Sequence, residues 1–224
     1  IQRAKVVYAD ETGWRMDGNN WWLWVFVNER GVQYILEDTR GKGVPERALG
    51  DKVDRVIISD GYAAYKNLKG VKQQCWVHLL RAAKNRSPVI YHDLALLYHK
   101  LLIELEKPIG GRNRQYFEKE LAALSSKHYR DPPAEKVQKR IERHKDDLLT
   151  CLSYANVLPE NNTAERAIRP QVVMRKIFGG SRSPDGARAH AVNSSVLATL
   201  RKQNPNANFF DVLLPLIEKR RSEL

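Results

Sequence analysis

Cysteine is scarce in this sequence: 224 residues hold two, Cys75 and Cys151. One pair at most rules out the multi-bridge scaffold of a small secreted domain, and a reducing cytoplasm is the default compartment. Long apolar runs are missing too. The longest, residues 21–27, falls far short of the roughly 20 residues that a membrane-spanning helix needs, so no membrane partner is expected. No basic-then-apolar leader opens the sequence. It starts at Ile1 without a methionine, as a fragment or a trimmed chain does. There is no internal repeat and no low-complexity tract.

Acids are absent from two stretches. Residues 61–92 contain none, against Lys66, Lys69, Lys72, Arg81, Lys84 and Arg86. Residues 166–184 contain none, against Arg166, Arg169, Arg175, Lys176 and Arg182. The net charge is +12 and the sequence pI about 9.7. Such a surplus points to a polyanion, most often nucleic acid; its plain alternative is a soluble charged surface. The clustering favours DNA. Each basic block follows a carboxylate that is a candidate for catalysis, Asp60 before the first and Glu165 before the second. Lys66, Arg81, Arg166, Arg169, Arg175, Lys176 and Arg182 are therefore the candidate DNA contacts.

What is present reads as α/β. Residues 5–10, "KVVYAD", form a short strand, and residues 20–28, "NWWLWVFVN", a second. Both faces of the second are apolar, so it needs cover on both sides. "ERG" turns the chain into a third strand over residues 32–36. A short helix follows Pro45. Residues 56–59 are a fourth strand, and 71–77 a fifth. After His78 the period changes to that of helices, in "HLLRAAKNR", "DLALLYHKLLIELEK", "RQYFEKELAALSSKHY" and "EKVQKRIERHKDDLLTCLSYA", broken at "PIGG" and "DPP". This block reads as a helical insertion. Three more helical segments follow Asn161, separated by "FGGSRSPDG" and "NPNAN". The expected organisation is a first core part at 1–85, an insertion at 86–155 and a C-terminal helical part of the core at 156–224.

Asp10 and Asp60 each close an expected strand, the edge where α/β sheets place ligands. Two neighbouring carboxylates repel unless a cation lies between them, and hard divalent cations take oxygen ligands. Each Asp also suits a turn, in "DETG" and "SDG", and spacing alone leaves both readings open. Glu165 sits in "NNTAERAIRP". Asn162 as N-cap with Glu165 three residues on resembles a capping box. Capping accounts for the acid but not for the arginines behind it, which suit phosphates passing a metal site.

"ADETGWRMDGNNWWLWVFV", "SDGYAAY", "CWVHLLR", "NNTAERAIRP" and "FGGSRSPDGARAHA" together resemble the catalytic domain of an insertion-sequence 66 family transposase, the TnpC type. The resemblance spans nearly the whole chain and is weakest in the helical middle. It implies an RNase H-like mixed sheet flanked by helices, with the all-helical insertion lying between the second Asp and the Glu of a DDE triad. That triad is Asp10, Asp60 and Glu165. It implies DNA cleavage and strand transfer by a two-metal mechanism with Mg²⁺, for which Mn²⁺ substitutes, and without a general-base side chain. The implied partners are transposon ends and target DNA, a homo-oligomer on that DNA and accessory transposition proteins, in a bacterial cytoplasm. Two other readings are an RNase H-type metal-dependent nuclease and a transposase-derived DNA-binding protein without catalysis.

Cys75 and His78 form Cys-x-x-His, half of a zinc site. No second half is evident, so zinc is not expected. The resemblance makes this pair a support of the site; the plain alternative is a buried thiol and a His at a helix start. Trp14 is a candidate for stacking on a base. Trp21, Trp22, Trp24 and Trp76 lie on expected strands and suit a core. "GGSRS" reads as a flexible basic loop able to follow DNA, with Ser181 as a phosphate donor.

Overall fold

The computed structural model describes residues 1–222. In chain order they form β1 (Val6–Met16), β2 (Asn19–Val27), β3 (Val32–Glu37), α1 (Gly43–Leu49), β4 (Val56–Ser59), β5 (Val71–Gln74), α2 (Trp76–Lys84) and α3 (Pro88–Leu105). Then come α4 (Arg114–Ser126), α5 (Pro132–Leu148), α6 (Asn162–Phe178), α7 (Pro184–Gln203) and α8 (Phe209–Ser222). The described residues are thus mixed α/β, with five strands and eight α-helices. None of these helices is long and apolar enough to cross a membrane. The chain divides into two units. One comprises Ile1–Lys52 with the described residues from Asn162 onward; the other is Val53–Asn161.

In the first unit β1, β2 and β3 pair antiparallel, with Asp10 opposite Val25 and Val25 opposite Tyr34. The first strand is longer than its apolar run suggests. "DETG" is not a turn, because β1 stays paired with β2 as far as Met16 opposite Asn19. The chain reverses at Asp17 and Gly18, both with positive φ, the backbone form that two-residue hairpins favour. Asp10 therefore lies within its strand rather than at its end. Leu23, Trp24, Val25 and Phe26 are fully buried, so both faces of β2 are covered as its sequence requires. Burying each such side chain contributes about 1.5–3 kcal/mol.

The free edge of β3 is capped by hydroxyls from α7. Tyr34 N–H donates to Ser195 Oγ at 2.8 Å, and Val32 N–H to Thr199 Oγ1 at 3.0 Å. Thr199 returns a bond to Val32 O at 3.1 Å. An edge so occupied cannot template pairing with another chain.

In the second unit β4 and β5 pair parallel, and all four residues of β4 are buried. The fifth strand stops earlier than the expected 77. Cys75 N–H makes a last bond to Ser59 O at 2.8 Å, and β4 offers no further partner. Trp76 then opens α2, whose buried residues Trp76, Leu79 and Ala83 follow a helical stripe. Trp76 is core, on a helix rather than a strand. Prolines open α3 and α5 at their first turns, where the missing N–H costs nothing. Gln73 ties β5 to the end of α5: its Nε2 donates to Leu148 O at 3.2 Å, and its Oε1 accepts from Cys151 N–H at 2.6 Å.

Candidate active site

The adjacent acids of β1 are separated by the period of the strand. Glu11 is buried and holds Arg40 through contacts of 2.6 and 3.1 Å. Its face is covered by the segment after β3, where Trp24 Nε1 donates to Thr39 O at 3.3 Å and Arg40 lies 4.5 Å over the Trp22 ring. Asp10 projects to the other face with Tyr8, Thr12 and Trp14. It is half-buried, and its Oδ1 accepts the Glu11 N–H at 2.9 Å.

That second face is crossed by α6. Arg175, on the buried side of α6 with Ala164, Ile168 and Gln171, donates to Gly13 O and, at 3.2 Å, to Thr12 Oγ1. Nearer the start of the helix, Ala167 O accepts the Tyr34 hydroxyl at 2.6 Å. Tyr34 stands in the cross-strand row of Asp10 and Val25, and in-register neighbours share a face. The first turns of α6 therefore lie toward the Asp10 row, and its later turns toward Thr12 and Gly13. Glu165, half-buried in the first turn of α6, thus belongs to the same side of the sheet as Asp10. Burial pushes the Tyr34 hydroxyl above the usual tyrosine range, against the pull of its Gln171 hydrogen bond, so it stays a donor. The helix starts at Asn162, which moves Asn162 inside and leaves the expected Asn162–Glu165 capping box out of step.

Asp60 directly follows β4 in the second unit. Its Oδ1 accepts the Tyr62 N–H at 2.8 Å, an Asx turn that fixes the carboxylate. Its backbone carbonyl accepts Arg140 Nη2 at 2.9 Å. Burial lowers the Arg140 pKa, with Asp60 opposing. Gly61 has φ 83°, and a Cβ there would lie 2.1 Å from Gln74 Nε2, so a side chain behind Asp60 would strain the backbone and displace the Gln74 amide. Cys75 Sγ, fully buried, accepts the Asn161 N–H at 3.2 Å. His78 is half-buried on α2. Cys151 is buried with its thiol pushed up to about 12, chiefly by desolvation.

Arg166, Arg169 and Lys176 are exposed along one side of α6, and Arg182 is exposed before α7. Arg175 is instead the half-buried tie to β1. Lys66 and Arg81 are exposed in the second unit. Trp14 is not open to a base: it is 4% exposed, stacked 5.1 Å from His190, and its Nε1 donates to Ser181 Oγ at 3.1 Å. The "GGSRS" segment is not a loose loop. Ser181 N–H donates to Arg15 O and Asp17 N–H to Ser181 O, both at 2.8 Å. A Cβ on Gly180 would meet Arg15 O at 2.1 Å. Tyr34, Arg140 and Gln171 escaped the sequence reading, since each looks like an ordinary residue of its element. An Arg among apolar positions of an amphipathic helix is the one available signal for Arg140.

A family profile described as "Transposase IS66 family" matches residues 1–189. Two curated Sinorhizobium fredii proteins are similar to the chain. "Uncharacterized protein y4jO" is 26% identical over 158 residues, which cover 66% of this chain and 49% of that protein. "Uncharacterized protein y4qI" is 25% identical in an alignment of 232 positions that covers 80% of this chain and 40% of that protein. The chain thus spans about half the length of these relatives or less. No solved structure matches it.

Proposed function

This chain belongs to the transposase IS66 family, and we propose that it is the catalytic part of a DNA transposase that cuts and joins strands with Asp10, Asp60 and Glu165 as its acids. The observation that carries the reading is that α6 brings Glu165 to the Asp10 side of the sheet, while the neighbouring Glu11 is held on the opposite side by Arg40. One acid of the "DE" pair thus serves the fold and the other is turned to the helix that bears Glu165. Three antiparallel strands followed by a parallel pair and helices support an RNase H-like arrangement.

The donor set fits a hard divalent cation, since carboxylate oxygens are the ligands that Mg²⁺ and Mn²⁺ take. Asp10, Asp60 and Glu165 would hold it, and bound metal would supply activation of the attacking oxygen and stabilisation of the leaving one. The protein's share is placement. Asp10 sits on β1, which is paired with β2, itself paired with β3 along its other edge, and the Asx turn orients Asp60; rigid elements hold such groups better than loops do. Arg166, Arg169 and Lys176 give α6 a positive side for phosphates, and Lys66, Arg81 and Arg182 extend that role. Cys75, whose N–H bonds to Ser59 O, and His78 would support the strand end near Asp60. The setting is a bacterial cytoplasm, where a longer protein works as a homo-oligomer on transposon ends and target DNA with accessory transposition proteins.

Nicking of supercoiled plasmid tests this. The chain should convert it to open circles with Mg²⁺ or Mn²⁺ and not with EDTA. Asp10→Asn, Asp60→Asn and Glu165→Gln should each lower the rate at least about 100-fold while still retarding DNA in gels. Nicking by Asp10→Asn at the parental rate would refute the assignment.

A further inference from the structure

Beside Asp60 the second unit contains a cavity of about 350 Å³ that the catalytic reading leaves without a use. The geometry points to one occupant: a single unstacked nucleotide of the DNA strand, its base beside Tyr62 and its phosphate at Lys66 and Arg143. This rests on the DNA reading above.

The size suits one nucleotide and little more, being near the lower bound of small-ligand sites. The walls divide by chemistry. Tyr62 and Tyr65 line it and meet edge to face, with centroids 6.4 Å apart. Aromatic rings take up a base that has left its stack and do so for any sequence. Gln74 lines it as well, is 4% exposed, and its buried Oε1 has no hydrogen-bond partner. A buried amide oxygen left unsatisfied is costly and asks for a donor. The exocyclic amino group of adenine, cytosine or guanine is such a donor. The neighbouring Gln73 shows that this is not general looseness, because both ends of its amide are used.

The charges agree. Lys66 and Arg143 are exposed at the mouth. Lys72 also lines the cavity, but its ammonium is held by Leu68 O and Gly70 O at 2.6 Å each, and burial lowers its pKa. The one acid of the lining, Asp147, lies 3.5 Å from His144. A mouth with two free-standing cations suits a phosphodiester. Ser59 and Gly61, on either side of Asp60, both line the cavity. A nucleotide seated there is a near neighbour in the strand of the phosphate at Asp60. Holding it out of the stack would set the register of the strand on the catalytic acid.

The test compares two labelled single strands of equal length and charge, an oligodeoxyadenylate and an abasic strand, by fluorescence anisotropy. The chain should bind the base-bearing strand about ten-fold tighter. Tyr62→Ala and Gln74→Leu should each remove most of that preference and leave the affinity for the abasic strand unchanged. Equal binding of both strands by the parent chain overturns the pocket and spares the DNA reading. Binding of neither strand at low salt sinks the DNA reading itself. Displacement of the strand's base by free deoxyadenosine monophosphate at micromolar concentration would make this a free-nucleotide site instead, and overturns the proposal. If a variant fails to fold by circular dichroism, an oligonucleotide with a photoreactive adenine decides the question on the parent chain. Crosslinks should fall on Tyr62 and its neighbours, and crosslinks confined to other segments reject the pocket.

Discussion

Glu11 Oε1 lies 2.6 Å from Arg40 Nη2, and the Glu11 side chain is 1% exposed while that of Arg40 is 37% exposed. Asp10, one residue earlier, faces the other way. Two acids that look alike in the sequence therefore do different work. Glu11→Gln removes the negative charge that faces Arg40 on a covered face. Breaking a buried pair costs about 3–5 kcal/mol; with Arg40 partly in water, about 1–3 kcal/mol is expected here. Asp10→Asn should change stability by less than about 1 kcal/mol and remove nicking. Urea titrations of both variants, read beside the plasmid assay, check the division.

A side chain in the turn behind Asp60 should be costly. Gly61→Ala adds a methyl 2.1 Å from Gln74 Nε2 at a φ of 83°. A loss of at least about 1–3 kcal/mol is expected, from backbone strain alone, with the clash added to it. Gly61→Ala with Gln74→Ala should recover the clash but not the strain. Thermal melts of the single and double variants measure both parts.

His190 should make the first unit sensitive to mild acid. Burial lowers its pKa below the usual histidine value of about 6.5. It faces the Trp14 ring at 5.1 Å and Gln171 Oε1 at 2.7 Å. A depressed folded-state pKa means that the unfolded chain binds the proton more readily. The stability is fully present above pH 6.5 and is lost as pH falls through the folded-state value. His144 in the second unit is depressed in the same direction, by burial first, with Asp147 opposing. His190→Phe keeps a ring against Trp14 and removes the titration. Its Tm should fall less than that of the parent chain between about pH 7 and about pH 5.

The arginines of α6 should separate into two classes. Arg175→Ala loses the bonds to Gly13 O and Thr12 Oγ1 and should cost about 1–3 kcal/mol. Arg166→Ala and Arg169→Ala, both exposed, should leave Tm within about a degree and weaken DNA binding. Each lost phosphate contact should reduce the slope of log K against log salt by about 0.9 on duplex DNA. A slope unchanged in the Arg166→Ala, Arg169→Ala double variant would remove α6 from the DNA contacts.

The apolar patterns of the sequence determined most of the elements. β4 falls on the expected residues, β2 and β3 lie within a residue of them, and "PIGG", "DPP", "FGGSRSPDG" and "NPNAN" separate helices as read. These features are local: period two or three-and-a-half and the turn residues suffice to specify them. The acids that the family resemblance singled out are also visible as residues. What the acids face is not. β1 outruns its apolar stretch because β2 pairs with it along its whole length, and β5 stops early because β4 has ended. Trp14 is closed off by a histidine far along the chain, Arg175 is drawn into the Thr12 and Gly13 backbone, and "GGSRS" is pinned to Arg15 and Asp17. Each of these depends on a partner distant in sequence, and no local pattern encodes the identity of that partner. Only the tertiary structure decides which of two adjacent carboxylates meets an arginine and which turns toward α6.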